Sequence, residues 1–587
     1  MKCDCQMHEK HESTQPGGRT VRPVMLRRVT LNAASLSRLL AILTLAFAAL
    51  TLSAPARADT LIDNVNGITI GKDGAVVRFA AILIDDAGRV RAIYRKGDRL
   101  PRVKGARING QGRTMLPGLI DAHLHVMGLG FGALTLDLSD TKSLAEAQEK
   151  IRRFAADNPT RPWILGRGWN QELWGLGRFP TAAELDTVVG DRPVWLERVD
   201  GHAGWANSAA MRLAKVDKAT KDPAGGRVER DAAGNPSGIF VDAASDLVAR
   251  AVPAPRPAER DLALAKAQEI LHGFGITAAA DMGTTIEDWQ TFRRAGDSGR
   301  LSLRIMSYAA GVDAMDFIGG SGPTPWLYSD RLRLNGVKLY LDGALGSRGA
   351  WLKAPYADDP GNRGLRLIDE TKLRNWMSRA ALGRFQVAVH AIGDAADAEI
   401  LAAIAELAPS YAGDRRWRIE HAQIVDPIDI AKFGQHGVIA SMQPVHQTSD
   451  RLMAGVRLGE ARLNGAYAWH SIGQTGATLA FGSDAPVESP DPLAGIAAAI
   501  SRTDRNGEPA GGWFPQERVA REQALASFTS AAAFAGFADG RFGRLVPGEW
   551  ADFVLLDVDP LTASPAQLYA AKIGETWIAG KPVYRAQ

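Results

Sequence analysis

Two histidines follow a strongly apolar segment near residue 120. Residues 115–122 have the composition of a buried β-strand, and His123-Leu124-His125 comes directly after them. Side chains two positions apart on a strand face the same side, so His123 and His125 can bind one metal ion together. A single His-x-His pair is weak evidence, and by itself it is explained more simply by two ordinary polar histidines.

Three later segments have the same form, an apolar strand that ends in a side chain able to bind a metal. These side chains are His390, His421 and Asp484. One βα unit takes about 30 residues; the spacing from His390 to His421 is one unit, and that from His421 to Asp484 is two. The C-terminal ends of parallel strands form the active-site face of a (β/α)8 barrel. The joint pattern therefore predicts a metal site on that face.

Lys338 lies between these segments, on another apolar strand. The simpler interpretation is a buried salt bridge, for which Asp342 is the nearest candidate. Burial can also depress the pKa of a lysine, so that its free amine reacts with CO2 to form a carbamate whose oxygens could bridge two metals. The residues alone leave both interpretations open.

The elements that must position these residues change character along the chain. Residues 60–116 show the short alternating pattern of β-hairpins, and this pattern returns after residue 543. Between them, apolar strands alternate with predicted helices at 143–156, 258–272 and 371–382, which indicates parallel βα units. We predict an α/β protein with a TIM-like (β/α)8 barrel at 117–544. A composite β-sandwich would be formed by 59–116 and 545–587.

The first 58 residues differ from the rest. An apolar run of 14 residues (39–52) follows Arg27, Arg28 and Arg38 and precedes small residues at 56–58. This layout predicts a secretory signal peptide at 1–58 and an exported protein, periplasmic or secreted. An uncleaved N-terminal anchor is the alternative, and the true start could be Met1 or Met25. Both cysteines lie in this leader.

The net charge of +4 comes from the same segment, which holds 8 Lys+Arg against 3 Asp+Glu. Without it the chain carries a net charge of −1, and no basic surface for nucleic acid is expected. No other stretch is apolar and long enough to span a membrane, so no span is expected after leader removal. The 46% hydrophobic content allows a large core.

The chain resembles the amidohydrolase superfamily, and within it amidohydrolase family 3, the YtcJ-like metal-dependent hydrolases. The resemblance runs from about residue 60 to the C-terminus. It rests on ordered motifs at 117–125, 166–169, 200–202, 337–343, 419–423, 441–444, 482–488 and 551–554.

The resemblance implies two divalent metal ions. His123, His125 and Asp484 would hold one ion, His390 and His421 the other, and a carboxylated Lys338 would bridge them. Zinc suits these nitrogen and oxygen donors best. The distance from His125 to Lys338 exceeds what three βα units need, so we expect an inserted subdomain at about 140–255 that could cover the site.

With this ligand set, a water shared by two cations becomes hydroxide near neutral pH while one metal polarises the scissile carbonyl. Asp484 would act as general acid and base, moving the proton to the leaving nitrogen. The predicted activity is hydrolysis of a carbon–nitrogen bond in a non-peptide amide or N-acyl compound. His202, His446 and Trp169 lie in matching motifs and are expected to contact the substrate; a supporting or core role is the alternative for His202, and plain packing is the simpler alternative for Trp169. His272 and His436 are assigned to structure or surface.

Two other functions remain open at this point. A hydrolytic deaminase or cyclic amidase of the same superfamily would attack ring carbon–nitrogen bonds, and deaminase sites more often keep one metal. An exported metal- or ligand-binding protein would bind without turnover. The expected partner is a small amide-type molecule, and assembly into a homodimer is compatible with the sequence.

Overall fold

A computed structural model describes residues 59–586 of the chain. The predicted signal peptide at 1–58 lies outside the described residues, as does the choice between Met1 and Met25. Among the helices of the described part, none combines the length and apolar character needed to cross a membrane.

Eight parallel strands form the predicted barrel. Each strand pairs with the next in chain order, from the first to the eighth. Their bounds are Leu119–Leu124, Ile276–Thr284, Arg304–Ala310, Leu332–Tyr340, Gln386–Ala391, Arg418–His421, Ile439–Met442 and Leu479–Phe481. Most of these residues are fully buried, as expected for parallel strands covered on both faces. The predicted TIM-like α/β fold is confirmed.

The first and eighth strands meet through backbone hydrogen bonds just beyond their ends. The His125 amide donates to the Ala485 carbonyl over 2.8 Å, and the Asp484 amide donates to the His123 carbonyl over 2.7 Å. The Asp121 carboxylate also accepts the Ser483 amide at 3.0 Å. This closure brings Asp484 beside the His-x-His segment although the two are far apart in the chain.

Helices cover the outside of the barrel, and two of the predicted ones correspond to Pro257–Gly273 and Glu370–Leu382. Side-chain caps define several helix starts: Asp369, for example, accepts the Lys372 amide at 2.8 Å. The remaining helices outside the insert are Val126–Gly132, Ile286–Asp297, Val312–Gly319, Asp394–Leu407, Ile430–Gln435, Pro444–Leu458, Trp469–Gln474, Pro492–Ser501, Arg521–Ser527, Ser530–Ala535 and Pro565–Ala570, with short 3-10 turns at Glu460–Arg462 and Pro515–Glu517.

A second eight-stranded sheet takes strands from both ends of the described chain. Thr114–Pro117 pairs antiparallel with Phe553–Leu556, which joins the two groups. Phe553 and Trp577 stack with ring centroids 5.1 Å apart in its core. The other strands are Thr60–Ile70, Val76–Ile84, Val90–Tyr94, Arg107–Asn109, Ile573–Ile578 and Lys581–Arg585.

The expected insertion lies between the first and second barrel strands. It is built on a six-stranded sheet around a tryptophan-rich core that includes Trp169, Trp174 and Trp205. Its strands are Leu136–Asp137, Ile164–Trp169, Val194–Arg198, Ala203–Ala206, Gly226–Arg230 and Pro236–Asp242. Its helices are Leu144–Asp157, which matches the prediction at 143–156, then Ala182–Val189, Ser208–Leu213 and Asp246–Ala249, with a 3-10 turn at Ala243–Ser245.

Candidate metal centre and substrate cavity

The six predicted ligands all lie at the C-terminal ends of barrel strands. Each is within the last three residues of a strand or within three residues after it. They belong to the first, fourth, fifth, sixth and eighth strands: His123, His125, Lys338, His390, His421 and Asp484. The imidazole rings form a continuous group, with ring centroids 4.6 Å apart for both His123–His421 and His390–His421. The structure therefore gathers the residues that the spacing predicts.

The Nδ1 side of the His123 ring contacts a buried ion pair formed by Glu420 and Arg418. Its Nδ1 lies 2.6 Å from Glu420 Oε2, and Arg418 donates to Glu420 Oε1 at 2.7 Å. Burial opposes ionisation of Glu420, but Arg418 and His123 lower its pKa to about 2. Burial, reinforced by Lys338, lowers the pKa of His123 to about 4. A neutral His123 thus donates its Nδ1 proton to Glu420 and presents its Nε2 lone pair to Lys338 Nζ and to the space beside Asp484, the orientation that a histidine needs to bind a metal.

Asp484 stands opposite that lone pair. Its Oδ1 is 3.4 Å from His123 Nε2 and 3.2 Å from His125 Nε2. Among the described residues this buried oxygen has no hydrogen-bond partner. A cation between the carboxylate and the two ring nitrogens would satisfy all three atoms, and these donor types suit zinc and similar divalent ions. The donor set therefore fits a metal ion.

A second group able to hold a metal surrounds the other oxygen of Asp484. It contains His421, His446 and Asp484, with His446 Nε2 3.7 Å and His421 Nδ1 4.0 Å from Asp484 Oδ2. His446, expected on the substrate side, thus also lies within reach of this group, and its Nε2 is a buried atom without a partner among the described residues. His390 reaches the group through its ring contact with His421.

Lys338 is buried among these side chains. Its Nζ lies 3.2 Å from His123 Nε2 and 4.8 Å from the centre of the Tyr340 ring. Burial lowers the pKa of Lys338 to about 8, against the opposing attraction of Glu420 and Asp484. An appreciable fraction of the amine is therefore neutral near physiological pH.

The suggested Lys338–Asp342 salt bridge is not formed. The Asp342 carboxylate instead accepts three backbone amides, those of Trp351, Ile392 and Gly393, at 2.9 to 3.0 Å. These contacts tie the loop after the fourth strand to the end of the fifth. Asp342 therefore shapes the loops beside His390 and leaves Lys338 without an ion-pair partner on this strand.

A cavity of about 910 Å³ opens over the histidines. Its walls come from the barrel loops and from the insert, so the inserted segment contributes to the cavity over the site. Arg167, Arg198 and His202 reach it from the insert. His202 Nδ1 is 2.7 Å from Asp242 Oδ1, and the His202 ring lies 5.0 Å from that of His390.

The pKa of His202 is shifted upward. Burial acts to lower it, but Asp242, Asp200 and Asp342 outweigh that effect and raise it to about 9. His202 is therefore a cation at neutral pH and can donate a hydrogen bond from Nε2. Among the described residues, neither group of side chains close enough to hold a metal includes His202.

Two other predicted residues lie away from the reacting centre. Trp169, expected to contact substrate, is fully buried, donates its indole N–H to the Leu196 carbonyl at 2.8 Å and packs against Phe179. Its ring is part of the insert's core. His272, assigned to structure, is buried between the Ile276 carbonyl at 3.1 Å and Ser302 Oγ at 2.8 Å.

The supporting residues Arg418, Glu420, Asp242 and Gln443 were not predicted from the sequence. Gln443 Oε1 lies 2.8 Å from His421 Nδ1 and so orients the sixth-strand histidine. A signal existed for one pair: Arg418 and Glu420 are charged residues two positions apart on a strand predicted to be buried. Such a pair on one strand face indicates a buried ion pair beside a functional site.

Known proteins with similar sequences and structures indicate the family of this chain. A sequence profile described as the amidohydrolase family matches residues 107–584. Protein LONG AFTER FAR-RED 3 of Arabidopsis thaliana is 35% identical, with 81% of this chain and 83% of that protein aligned. YtcJ of Bacillus subtilis (strain 168), whose name places it among the amidohydrolases, is 32% identical over 86% of this chain and 98% of its own.

A third relative, named N-substituted formamide deformylase, from Arthrobacter pascens, is 25% identical over 89% of this chain and 97% of its own. Among solved structures, a metal-dependent hydrolase from Pyrococcus horikoshii OT3 superposes with a TM-score of 0.69 at 25% identity, covering 86% of this chain and 99% of that one. The profile match spans most of the chain, and the hydrolase shares the fold over 86% of it. The chain therefore belongs to the amidohydrolase family, as a member of amidohydrolase family 3 with the barrel of the metal-dependent hydrolases.

Proposed function

We propose that this protein hydrolyses a carbon–nitrogen bond in a small non-peptide amide or N-acyl compound, with two divalent metal ions as cofactors. The observation that carries the proposal is the position of Asp484. Its two oxygens face separate histidine groups, and it lies at the floor of a cavity large enough for a small molecule. A binding protein without turnover needs neither this shared carboxylate nor the depressed pKa values around it.

His123, His125 and Asp484 would hold one ion, and His390 and His421 the other, with zinc the best match to the donors. Such ions would polarise a substrate carbonyl and lower the pKa of a bound water. Asp484 would accept a proton at one oxygen and deliver it to the leaving nitrogen. His202 would donate from Nε2 to an oxygen of the substrate.

A carbon–nitrogen target is supported by one relative. The name of the Arthrobacter pascens protein describes removal of formyl groups from N-substituted formamides, and 97% of that chain aligns with this one. Hydrolysis of an N-acyl group and of a formamide involve the same attack on a carbonyl attached to nitrogen. A deaminase or cyclic amidase remains the second candidate, and a metal count of one per chain would favour the deaminase.

Carboxylation of Lys338 is part of the proposal. The neutral amine would attack the carbon of CO2, form an N–C bond and release one proton, leaving a carbamate with two oxygens facing the ligands. Burial, the lowered pKa and the lack of an Asp342 ion pair support this. We expect Lys338→Ala to lose most activity and to regain part of it with short carboxylic acids. If mass spectrometry of the intact protein shows no added CO2 on an active two-metal enzyme, Lys338 is not carboxylated and this part of the proposal is contradicted.

The main experiment compares Asp484→Asn with Asp397→Asn in turnover of an amide panel. We expect Asp484→Asn to lower kcat by about 10²- to 10⁴-fold, the range of general acid–base catalysis. Asp397 is fully buried, and burial among Asp342, Asp394 and Asp429 raises its pKa well above the usual value. Asparagine mimics this protonated aspartate, so the control should keep its activity. Equal losses in both variants would contradict a catalytic role for Asp484.

His446 requires a separate measurement because it lies near both the cavity and a metal group. We propose that it contacts substrate: Gln423 Nε2 donates to its Nδ1 at 3.1 Å, which leaves Nε2 free to act toward the cavity. His446→Ala should then keep its full metal content and lower kcat/KM. Loss of one metal equivalent would assign His446 to the ligands instead.

We also propose that the protein is exported, supported by the basic residues, apolar run and small residues of the first 58 positions. Cell fractionation with N-terminal sequencing of the mature chain tests this. A mature N-terminus near residue 59 in the exported fraction is expected, and an intact leader on cytoplasmic protein would contradict it.

A further inference from the structure

Large apolar side chains are exposed at the mouth of the substrate cavity. Leu173 is 58% exposed, Leu452 66% and Val456 56%, and all three line the cavity. Only five other large hydrophobic residues of the described chain are comparably exposed. Solvent-exposed apolar side chains that converge on one opening mark a surface that binds something apolar.

The three side chains come from two separate elements that are held together. Leu452 and Val456 are one turn apart on the helix Pro444–Leu458 and share one face. Leu173 belongs to the insert. Arg457, next to Val456, forms an ion pair with Glu172, next to Leu173. This pair fixes the helix and the insert loop on the same rim.

The charges beside these apolar side chains are already paired. Arg457 also contacts Asp358, and Arg451, next to Leu452, pairs with Asp504 at 2.8 Å. Ion pairs between neighbouring side chains leave the rim without a strong preference for an ionised ligand. At the rim of the cavity, contact with the apolar side chains is therefore the main source of affinity for a ligand.

Deeper in the cavity the character changes to polar. His202, His446 and Asp484 line the floor, beneath the apolar rim. A ligand that satisfies both regions has a polar amide at one end and an extended apolar substituent at the other. The volume of about 910 Å³ is at the large end for a small-molecule site and accommodates such a substituent.

Building on the proposed hydrolase function, we infer that the substrate is an amide carrying an apolar substituent of several carbons, and that Leu173, Leu452 and Val456 determine this specificity. The amide would lie over Asp484 while the substituent extends to the rim. A buried methylene contributes up to about a fourfold gain in affinity. Selectivity should therefore rise with chain length until the rim is filled.

The test uses two series of amides, one lengthened on the acyl side and one on the amine side, from one to eight carbons. We expect kcat/KM in one series to rise up to about fourfold per methylene in the wild type. Leu452→Ser and Val456→Ser should flatten this rise and act mainly through KM. Phe317→Ser and Leu382→Ser are matched controls, since these residues are 70% and 75% exposed and lie on other helices.

A binding measurement separates this inference from the proposed activity. Calorimetric titration with linear alkylamines and fatty acids of two to eight carbons needs no turnover. Longer ligands should bind the wild type more tightly than Leu452→Ser, whether or not any amide is hydrolysed. If no amide is cleaved but this dependence appears, the proposed activity fails and the apolar specificity stands.

The inference is overturned if chain length has the same effect in the wild type, the rim variants and the two controls. It is also overturned if the rim variants change only the binding of the protein to lipid vesicles or to another protein. In either case the exposed side chains serve a surface other than the substrate site.

Discussion

Two histidine–carboxylate pairs with nearly the same distance behave in opposite ways in this site. In the barrel, His123 Nδ1 is 2.6 Å from Glu420; in the insert, His202 Nδ1 is 2.7 Å from Asp242. The pKa of His123 falls to about 4, whereas that of His202 rises to about 9. One ring is neutral, with a nitrogen able to bind a metal, and the other is a cation.

The surroundings explain the difference, since burial lowers both values. Next to His123, the negative charge of Glu420 is already shared with Arg418, and Lys338 adds a second positive charge. Around His202, Asp242 is joined by Asp200 and Asp342, all of them acidic. A carboxylate partner orients a histidine, but the total charge nearby decides whether the histidine is protonated.

The largest expected effect follows from breaking the barrel pair. Glu420→Gln leaves Arg418 buried without its anionic partner, which should cost about 3–5 kcal/mol of unfolding free energy. His123 loses the acceptor that fixes its orientation, so metal affinity should fall by about 10- to 100-fold. Urea unfolding and metal analysis after dialysis measure the two effects.

The double variant Arg418→Met with Glu420→Gln is the control for this prediction. It removes the unpaired charge and should recover much of the stability without restoring metal affinity. If Glu420→Gln alone keeps the wild-type metal content, His123 does not depend on Glu420 for its orientation.

The second prediction concerns the cationic histidine of the insert. His202→Ala should keep its full metal content and lower kcat/KM by about 10²-fold, because a positively charged donor to the substrate is lost. His436→Ala, on a helix end outside the cavity wall, should have no comparable effect. Loss of metal from His202→Ala would show that the two pairs do not have separate roles.

Asp242→Asn should have a smaller effect, about tenfold on kcat/KM, because His202 remains in place but its pKa falls. The protonation of His202 also makes the stability of the fold depend on pH. A folded pKa of about 9, above the ordinary 6.5, stabilises the fold below pH 6.5, and this contribution disappears as pH rises through 9. It amounts to about 3 kcal/mol.

Denaturant unfolding between pH 6 and 9.5, together with an NMR titration of His202, measures this. The wild type should lose stability across that range, and Asp242→Asn should show a flatter profile. If the pKa of His202 is the same in Asp242→Asn as in the wild type, Asp200 and Asp342 cause its upward shift instead of Asp242.

The smallest effect on activity is expected for His272, which has no carboxylate partner. Burial, only partly offset by the Ile276 carbonyl, lowers its pKa to about 4. The unfolded state therefore takes up a proton first, and stability falls as pH drops from 6.5 towards 4. His272→Gln should weaken that acid sensitivity and keep kcat/KM at neutral pH. If the wild type and His272→Gln lose stability equally between pH 6.5 and 4, His272 is not the source of the acid sensitivity.

The order of the ligands along the chain could be predicted because it follows from local pattern. Apolar strands alternating with helices place their C-terminal residues on one face of a barrel, so His123, His390, His421 and Asp484 had to converge once the barrel formed. The suggested Lys338–Asp342 ion pair failed for the opposite reason. Three backbone amides, from two different loops, compete for Asp342, and nothing in the local sequence indicates them.

The sequence by itself thus determined the fold class, the family and the set of residues brought to one face of the barrel. These could be predicted because strand and helix patterns and short motifs are local features of the sequence. The tertiary structure decided which histidines are neutral, that Trp169 packs in a core and that Leu173 and Val456 line the same cavity. His123 and Glu420 are 297 residues apart. Charge state and exposure sum the contributions of such distant segments, and only the folded chain brings those segments together.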